Sequence, residues 1–156
     1  MILDHVSNNL SSYFKENTNN RLLLAISGGV DSIVLLDILD KIKIKYSFKI
    51  SLIHINYGMQ RKSDNAENLC HALASDYEID IISKKVKLNK SNFESNARKV
   101  RYDFFNDYSK KNNIDYILTA HHRNDQIETL HMKFLDNADW ISFLGIRKKY
   151  GKIIRP

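Results

Sequence analysis

The residues best suited to chemistry in this sequence form one short turn of small and acidic side chains: Ser27-Gly28-Gly29-Val30-Asp31-Ser32. Two adjacent glycines allow φ values closed to other residues and leave room for a ligand close to the backbone. Backbone N–H groups in such a turn point into one concavity, which favours an anion when a helix begins there. The serine hydroxyls would add donors. The turn therefore predicts a phosphate or pyrophosphate site.

Other phosphate-binding loops do not fit this turn. A Walker A loop requires a lysine directly after its last glycine, and no lysine follows Gly29. A dinucleotide-binding fingerprint requires a series of spaced glycines, whereas only an adjacent pair is present. The alternative that stays open is a plain strand-to-helix turn capped by serine.

A second candidate is a polar stripe on a predicted helix, formed by Glu94, Arg98 and Arg101. Their spacing of i, i+4 and i+7 places them on one side of the helix. The two guanidinium groups would bind phosphate or carboxylate. Alternatively, Glu94 pairs with Arg98 at the surface and stabilises the helix by roughly a few tenths of a kcal/mol.

A third candidate follows an apolar run and enters a predicted helix: Thr119-Ala120-His121-His122-Arg123-Asn124-Asp125-Gln126-Ile127-Glu128-Thr129. Asp125 and Glu128 would lie on adjacent turns of one helix face, where two carboxylates can hold Mg²⁺ or an ammonium group. The spacing of these carboxylates also fits a capping box. The paired histidines can equally be interpreted as hydrogen-bonded surface residues.

Apolar runs and amphipathic stretches alternate along the chain and would position these candidates. Strands are predicted at 22–26, 48–55, 79–82 and 116–118, with a fifth over 152–155. Helices are predicted at 1–16, 33–45, 64–77 and 91–108, with another in the third candidate segment. This alternation predicts an α/β fold: a Rossmann-like, doubly wound parallel sheet of about five strands with helices on both faces. The segments after Ile26, around His54 and after Leu118 would meet at its carboxyl edge, where such sheets bind ligands.

Three local patterns predict how the helices pack. Cys70 lies in an apolar stripe, which indicates a small core residue rather than a nucleophile. Asp64 followed by Glu67 is typical of a helix start. The helix after Ser91 is predicted to bury one face, consisting of Phe93, Ala97, Val100, Phe104 and Tyr108.

Composition limits the class of protein. The chain has 156 residues and 27% charged residues, which suits one globular domain over residues 1–156. The net charge of +6 is modest support for a polyanionic partner. A single cysteine excludes an internal disulfide and indicates a reducing compartment. No apolar stretch is long enough to span a membrane and no signal peptide is evident, so we expect a cytoplasmic protein.

Taken together, these motifs resemble those of the ATP pyrophosphatase (PP-loop) superfamily, and most closely those of the tRNA(Ile)-lysidine synthetase family. The resemblance covers residues 21–132 and, more loosely, the final Arg155-Pro156. It implies ATP and Mg²⁺ as cofactors. It also implies a ligase that adenylates the wobble cytidine of tRNA(Ile) with a CAU anticodon and releases pyrophosphate. The amine of L-lysine would then displace AMP to form lysidine.

By position, the resemblance assigns roles to several residues. It implies that the ATP phosphates are bound by Ser27, Gly28, Gly29, Val30, Asp31 and Ser32. It implies that Asp31 also holds the metal. It implies that the catalytic residues are Asp31, Arg98, Arg101, His122, Asp125 and Glu128. Of these, the two arginines would face phosphate or substrate, and the last three would line the place where lysine meets the activated base.

The sequence departs from the family pattern at several positions. Asn124 stands where the family usually has an aspartate, and Tyr57 stands in place of a usual histidine. A glycine-rich stretch of the family is replaced by Asp136-Asn137-Ala138-Asp139-Trp140. Further tRNA-recognition domains of the family are absent from this chain, so we interpret it as the catalytic N-terminal domain. The alternatives are another PP-loop adenylating enzyme and a truncated module that binds ATP or RNA without turnover.

Overall fold

Helices and strands alternate along the chain, as the sequence pattern predicts. The structure, a computed structural model, describes residues 2–14, 19–58, 61–88, 93–120 and 149–156. Its helices are α1 (Ile2–Ser11), α2 (Val30–Ile42), α3 (Arg61–Asp76) and α4 (Phe93–Lys111). Its strands are β1 (Asn20–Ala25), β2 (Phe48–Asn56), β3 (Ile81–Lys85), β4 (Tyr116–Thr119), β5 (Lys149–Tyr150) and β6 (Ile153–Ile154).

The strands form one sheet in the order β3-β2-β1-β4-β6-β5. Neighbouring strands run parallel except for β5, which pairs antiparallel with β6 at the edge. The predicted parallel sheet of about five strands, including a strand within 152–155, is therefore confirmed. The sequence does not predict β5, because its two residues are too few to carry an alternating pattern.

Both faces of the sheet are covered by helices, as predicted. Leu22 and Leu24 of β1 contribute to a core shared with α1, α2 and α3, whereas Leu23 contributes to a second core shared with α4. This alternation follows from the two-residue period of a strand. All three leucines are fully buried, which explains why β1 is an unbroken apolar run in the sequence.

The strand order reverses direction between β1 and β4. Ala25, the last residue of β1, pairs with Ile53 on one side and with Thr119 on the other. The segments that follow β1 and β4 therefore leave the sheet side by side at its carboxyl edge. Crevices at such switch points are where open α/β sheets bind ligands.

Several helix boundaries differ from the prediction, among them the ends of α2, which spans Val30–Ile42 rather than 33–45. α1 ends at Ser11 rather than near residue 16, and Phe14 packs beyond its end among the rings of Tyr46, Phe48 and Tyr116. α3 begins at Arg61, so the prediction of a helix start at Asp64 is wrong. The Asp64 carboxylate accepts a hydrogen bond from a residue of β2 instead, which is a tertiary contact that local sequence does not reveal.

The third strand is shifted along the sequence relative to the prediction. β3 spans Ile81–Lys85 rather than 79–82. Ile79 belongs to the turn that closes α3, because its N–H donates a 2.8 Å hydrogen bond to the carbonyl oxygen of Ala74. Glu78 in the same turn has φ +54°, which ends the helix before the strand can begin.

α4 is the longest helix that the structure describes, with 19 residues, and its buried stripe is narrower than predicted. Ala97 is buried as predicted, but Phe105 rather than Phe104 is fully packed in the second core. The remaining predicted core residues are half-buried: Phe93, Val100, Phe104 and Tyr108. Among the described residues, no helix has the length and apolar character needed to cross a membrane.

Candidate active site

The turn after β1 has a backbone conformation that requires glycine at one position. Gly28 has φ +81°, in the left-handed region that favours glycine. A Cβ atom added to Gly28 would lie 3.2 Å from the Cβ atom of Ala66 on α3, so space also requires glycine there. Gly29 has φ −80° and ψ 155°, which any residue can adopt. The prediction of an unusual φ is therefore confirmed for Gly28 and wrong for Gly29, where only the space left by the missing side chain matters.

The two serines of the turn bond to its own backbone and lie close to each other. Ser27 Oγ accepts a hydrogen bond from the N–H of Gly29 (3.2 Å), and Ser32 Oγ donates one to the carbonyl oxygen of Gly29 (2.8 Å). The two hydroxyl oxygens are 3.2 Å apart. Ser32 is only 3% exposed, so its buried hydroxyl stabilises the conformation of the turn. Ser27, by contrast, is exposed.

Helix α2 starts within the turn and points its N-terminus at the carboxyl edge of the sheet. Its N-cap residue is Gly29, and no side chain of the described residues caps it, so the alternative of a serine-capped turn is wrong. Val30 and Asp31 follow in the first helical turn, where N–H groups have no helical acceptor and the helix dipole is positive. Both residues are exposed. This end of α2 can bind an anion, and the carboxylate of Asp31 can hold a cation against that anion.

The polar residues near the end of β2 lie inside the protein. His54 and Asn56 belong to the carboxyl end of the strand, and they are only 4% and 1% exposed. His54 Nδ1 lies 2.8 Å from the carbonyl oxygen of Ile26 and 3.5 Å from Cys70 Sγ. β2 and α3 therefore support the residue that directly precedes the turn.

Cys70 is fully buried, which confirms the prediction that it is a core residue. Burial raises the pKa of its thiol to about 11, and the Glu67 carboxylate adds to that rise. The thiolate is the reactive form of cysteine, so Cys70 has no nucleophilic role at neutral pH.

The amide of Asn56 links β2 to α3, a contact that the sequence analysis missed. Its Nδ2 donates to Asp64 Oδ1 (2.8 Å) and to Glu67 Oε2 (2.7 Å), and its Oδ1 accepts from the N–H of Gly58 (2.8 Å). Hydrogen bonds from Lys85 Nζ and then Asn56 hold the pKa of Asp64 below its ordinary value. The hydrogen bond from Asn56 is the first cause of the lowered pKa of Glu67. Both groups therefore stay ionised at neutral pH.

Arg98 and Arg101 line a cavity of about 490 Å³ between α4 and Tyr57, a volume within the range of small-ligand sites. Arg101 Nε donates a 3.1 Å hydrogen bond to the Tyr57 hydroxyl, and its guanidinium lies 5.9 Å from the centre of the Tyr57 ring. The guanidinium of Arg98 lies 5.5 Å from the centre of the Tyr102 ring. Aromatic rings beside two cations suit a planar base or an anionic group.

The alternative surface role of Arg98, an ion pair with Glu94, is wrong. Within the part of the chain that the structure describes, the ion pairs are Lys41–Asp37, Lys43–Asp40 and Lys85–Asp64. Glu94 lines the same cavity as Arg98 without pairing with it. Neither Arg98 nor Arg101 has a carboxylate partner among the described residues, so both keep their charge available for a ligand.

A residue after β6 contacts one of the side chains that line this cavity. Arg155 follows β6, and its Nη2 donates a 3.1 Å hydrogen bond to the hydroxyl of Tyr102, which lines the cavity. Periodicity gives no signal for this residue, and only the resemblance of Arg155-Pro156 to a recurring pair draws attention to it.

Comparison with known proteins agrees with this geometry. The PP-loop domain, a family of ATP-binding domains, matches residues 2–156 of the chain. The chain belongs to the PP-loop family. ATP is accordingly the nucleotide that its family binds, which suits an anion site at the switch point of the sheet.

Several curated relatives of this PP-loop domain are tRNA(Ile)-lysidine synthases. The tRNA(Ile)-lysidine synthase of Thermosipho africanus is 30% identical over 99% of this chain and 38% of its own length. That of Clostridium tetani is 34% identical over 99% of this chain and 35% of its own length. That of Petrotoga mobilis is 32% identical over 100% of this chain and 53% of its own length. The chain thus spans about a third to a half of the length of these relatives.

A solved structure confirms the fold. The U34-tRNA thiolase NcsA from Methanococcus maripaludis, with its 4Fe-4S cluster, superposes with a TM-score of 0.77 at 18% sequence identity. The match covers 98% of this PP-loop domain and 57% of the thiolase chain. The Rossmann-like architecture predicted from the sequence is therefore confirmed.

Part of the predicted site of this PP-loop domain lies outside the described residues. His122, Asp125 and Glu128 fall within 121–148, as do Asn124 and the segment 136–140, so their roles stay predictions. The residues that the structure describes contain no cluster of three or more His, Cys, Asp or Glu able to hold a metal ion. A metal at the 27–32 turn would therefore need oxygen ligands besides Asp31, such as those of a bound phosphate.

Proposed function

We propose that the chain is the ATP-activating catalytic domain of a tRNA(Ile)-lysidine synthase. The reaction adenylates the wobble cytidine of tRNA(Ile) with a CAU anticodon, releases pyrophosphate, and joins L-lysine with loss of AMP. The observation that carries the proposal is the similarity of nearly the whole chain to relatives of that one name, at 30–34% identity. The described geometry at the switch point of the sheet supports it.

The 27–32 turn would bind the phosphates of ATP. Gly28 adopts a left-handed conformation, and Gly29 leaves open the space into which the exposed N-terminus of α2 points. The N–H groups of Val30 and Asp31 would donate to phosphate oxygens, as helix N-termini do at other phosphate sites. Ser27, which is exposed, would add a hydroxyl donor. The residues present therefore fit a polyphosphate.

Asp31 would hold Mg²⁺ together with phosphate oxygens. Mg²⁺ is commonly bound by one or two carboxylates and by substrate phosphates rather than by a cage of protein ligands. A single carboxylate in the first turn of α2 fits this requirement. The ion would supply charge neutralisation for the departing pyrophosphate. Asp31 would be the residue of this chain that holds the ion at the turn.

Arg98 and Arg101 would stabilise the negative charge of the activated substrate. Both line one cavity with Tyr57 and Tyr102, and neither is neutralised by a carboxylate of the described residues. Guanidinium groups form paired hydrogen bonds with phosphate, and aromatic rings stack on bases. We assign the cavity to the RNA substrate near its reacting nucleotide.

Asp125 and Glu128 would bind the ammonium group of lysine, and His122 would accept its proton. The amine must lose a proton before it can attack, because the ordinary pKa of a lysine side chain is about 10.4. An imidazole titrates near neutral pH and suits that task. The chain enters this segment from Thr119, which pairs with the last residue of β1 and so begins beside the 27–32 turn.

Sulfur transfer is the nearest alternative chemistry, since the structural neighbour is a thiolase with an iron–sulfur cluster. Such clusters are held by several cysteine thiolates. This chain has one cysteine, which is buried, so it does not offer that ligand set. We therefore favour adenylation followed by attack of an amine. We further propose that residues 1–156 form one catalytic domain and that the protein acts in the cytoplasm.

The test separates nucleotide binding from chemistry. ATP binding to the chain is measured by calorimetry, with Gly29→Val as the control that fills the cradle. Modification is measured in a chimera in which this chain replaces the aligned part of the Petrotoga mobilis relative. We expect that the chimera releases pyrophosphate and incorporates labelled lysine into tRNA(Ile) with a CAU anticodon, but not when uridine replaces the wobble cytidine. ATP binding without modification by the chimera would instead favour a non-catalytic module.

The carboxylates of the third segment are tested in the same chimera. Asp125→Asn and Glu128→Gln should abolish lysine transfer while the melting temperature stays unchanged. If these residues form only a capping box, Asp125→Asn will cost about 1 kcal/mol or less of stability and leave both half-reactions intact. Measuring adenylation and lysine transfer separately distinguishes the two outcomes.

A further inference from the structure

We propose that Asn56 is a positioning residue for the 27–32 turn and acts on it through α3. The inference rests on the proposed function only in that the turn binds the phosphates of ATP. Asn56 lies at the end of β2, belongs to none of the predicted ligand-binding residues, and is 1% exposed. A buried side-chain amide whose donors and acceptor are all hydrogen-bonded restrains the relative position of the secondary-structure elements that it connects.

The turn is in direct contact with α3. A Cβ atom built on Gly28 would lie 3.2 Å from Cβ, 3.4 Å from Cα and 3.4 Å from the carbonyl oxygen of Ala66. Gly28 therefore lies directly against Ala66, with only the methyl group of the alanine between the turn and the backbone of the helix. Any shift of α3 toward or away from the turn changes the space in which Gly28 holds its left-handed conformation.

Asn56 holds α3 on both sides of this contact. Its Nδ2 group donates hydrogen bonds to Asp64 and to Glu67, which precede and follow Ala66 on the helix. Its carbonyl oxygen accepts from the N–H of Gly58, so the amide itself cannot rotate without breaking a third bond. β2 is hydrogen-bonded to β1, the strand that leads into the turn. Asn56 thus sets the distance from α3 to the strand end that carries the turn.

Charge explains why an amide is needed at this position. Asp64 and Glu67 are two carboxylates that point at one buried group, and Asn56 offers each of them a donor. Lys85 supports Asp64 from the solvent side with a 2.6 Å bond, but its Nζ is not bonded to Glu67. Ser83 also bonds to Glu67, but it does not reach across to β2 at Asn56. Without the amide donor, we expect the two carboxylates to repel each other and α3 to shift at Ala66.

The test compares Asn56→Asp with Lys85→Ala. Asn56→Asp keeps the size of the side chain and the acceptor for Gly58 but places a third carboxylate against two others. Lys85→Ala removes an exposed ion pair of the same cluster and leaves the amide in place. We measure the Gly28 amide resonance by NMR, the affinity for ATP and for inorganic pyrophosphate by calorimetry, and the melting temperature.

We expect Asn56→Asp to shift the Gly28 resonance and to weaken both ligands at least about tenfold, because small displacements of a binding group have large effects. Lys85→Ala should leave the resonance and both affinities unchanged. The double variant Asn56→Asp/Glu67→Gln, which reverses donor and acceptor, should restore the resonance toward its original position. A lowered melting temperature with an unchanged Gly28 resonance and unchanged affinities would mean a purely structural role and would overturn the proposal.

Two further outcomes have separate consequences: an Asn56→Asp variant that does not fold, and a parent chain that binds no nucleotide. If Asn56→Asp does not fold, Ala66→Val tests the same contact from the helix side, and unchanged affinity in that variant overturns the proposal. If the parent chain binds neither ATP nor pyrophosphate, the proposed function fails. The shift of the Gly28 resonance in Asn56→Asp still decides whether Asn56 positions the turn.

Discussion

The Nδ1 atom of His54 lies 2.8 Å from the carbonyl oxygen of Ile26, the residue directly before the 27–32 turn. A carbonyl oxygen only accepts, so Nδ1 carries the hydrogen in this bond. The N–H of Ile26 in turn donates to the carbonyl oxygen of Ile53, one residue before His54 (3.0 Å). β2 therefore bonds to both the N–H and the carbonyl oxygen of Ile26. The hydrogen bonds of the sheet thus extend to the residue directly before the turn.

His54→Asn and His54→Leu should differ in their effect on the turn. An asparagine amide can place a donor close to the position of Nδ1, whereas leucine leaves the Ile26 carbonyl without that donor at a cost of about 1–3 kcal/mol. Asparagine is smaller than histidine and leucine has a different shape, so we expect urea unfolding to detect destabilisation in both variants. We expect calorimetry to show a larger loss of pyrophosphate affinity for the leucine variant. Equal losses of affinity would contradict the role assigned to this hydrogen bond.

The two glycines of the turn should respond differently to alanine. Gly28→Ala combines a positive φ with a contact to Ala66, which we expect to cost about 1–3 kcal/mol of stability and most of the ATP affinity. Gly29→Ala has an ordinary backbone conformation and a Cβ contact at 3.3 Å to Ser27 Oγ. Its free energy of unfolding should therefore stay closer to that of the parent. Chemical unfolding and calorimetry on both variants test this order, and a reversed order would refute the geometry of the turn.

Tyr57→Phe should weaken substrate activation through Arg101. The change removes the hydroxyl that accepts from Arg101 Nε and keeps the ring that packs against Phe93. We expect adenylation in the chimera to fall by about tenfold to a hundredfold, because a hydrogen bond to a charged group contributes about 1.5–3 kcal/mol. The melting temperature should change little. Tyr108→Phe removes a tyrosine hydroxyl from α4, the helix of Arg101, at a position that packs against the second core. It is the matched control and should leave adenylation unchanged.

Acid should destabilise the protein partly through Glu67. Its folded pKa is lowered from the ordinary value of 4.5, first by the Asn56 hydrogen bond, so the unfolded chain binds this proton more readily than the folded one. The resulting stability is present above the unfolded pKa and is lost as pH falls through the folded pKa. Glu67→Gln should therefore flatten the dependence of unfolding free energy on pH below the ordinary pKa of 4.5. An unchanged slope in urea titrations across that range would show that the hydrogen bond does not matter.

Cys70 should resist alkylation at neutral pH. Its thiol is fully buried, and burial raises its pKa from 9.0 to about 11. Iodoacetamide should react at the rate of unfolding and much faster in urea. A raised pKa also means that its contribution to stability is present below pH 9.0 and is lost as pH rises toward 11. Cys70→Ala should abolish that alkaline loss, and rapid labelling of the native chain would disprove the buried placement.

Local sequence is sufficient for the parts of the site that depend on one element. The 27–32 turn is predictable because glycines, serines and flanking apolar runs act within a few residues. The role of Arg98 is not predictable from local sequence, because its spacing on the helix allows either an ion pair with Glu94 or a place in an open cavity. The contact of Tyr57 with α4, beside Tyr102 of that helix, decides for the cavity. Likewise, Asp64 and Glu67 have the spacing of a helix start, and only the proximity of Asn56 reveals their actual partner.

By itself, the sequence determines the alternation of helices and strands and the burial of β1, because periodicity and apolar runs are local properties. Only the tertiary structure decides which polar groups meet. The bond from His54 to Ile26 joins residues 28 positions apart, and that from Arg101 to Tyr57 joins residues 44 apart. Such contacts follow from strand order and helix docking, to which each residue contributes through many weak interactions. The resulting geometry at the switch point is therefore a property of the folded sheet and not of any one segment.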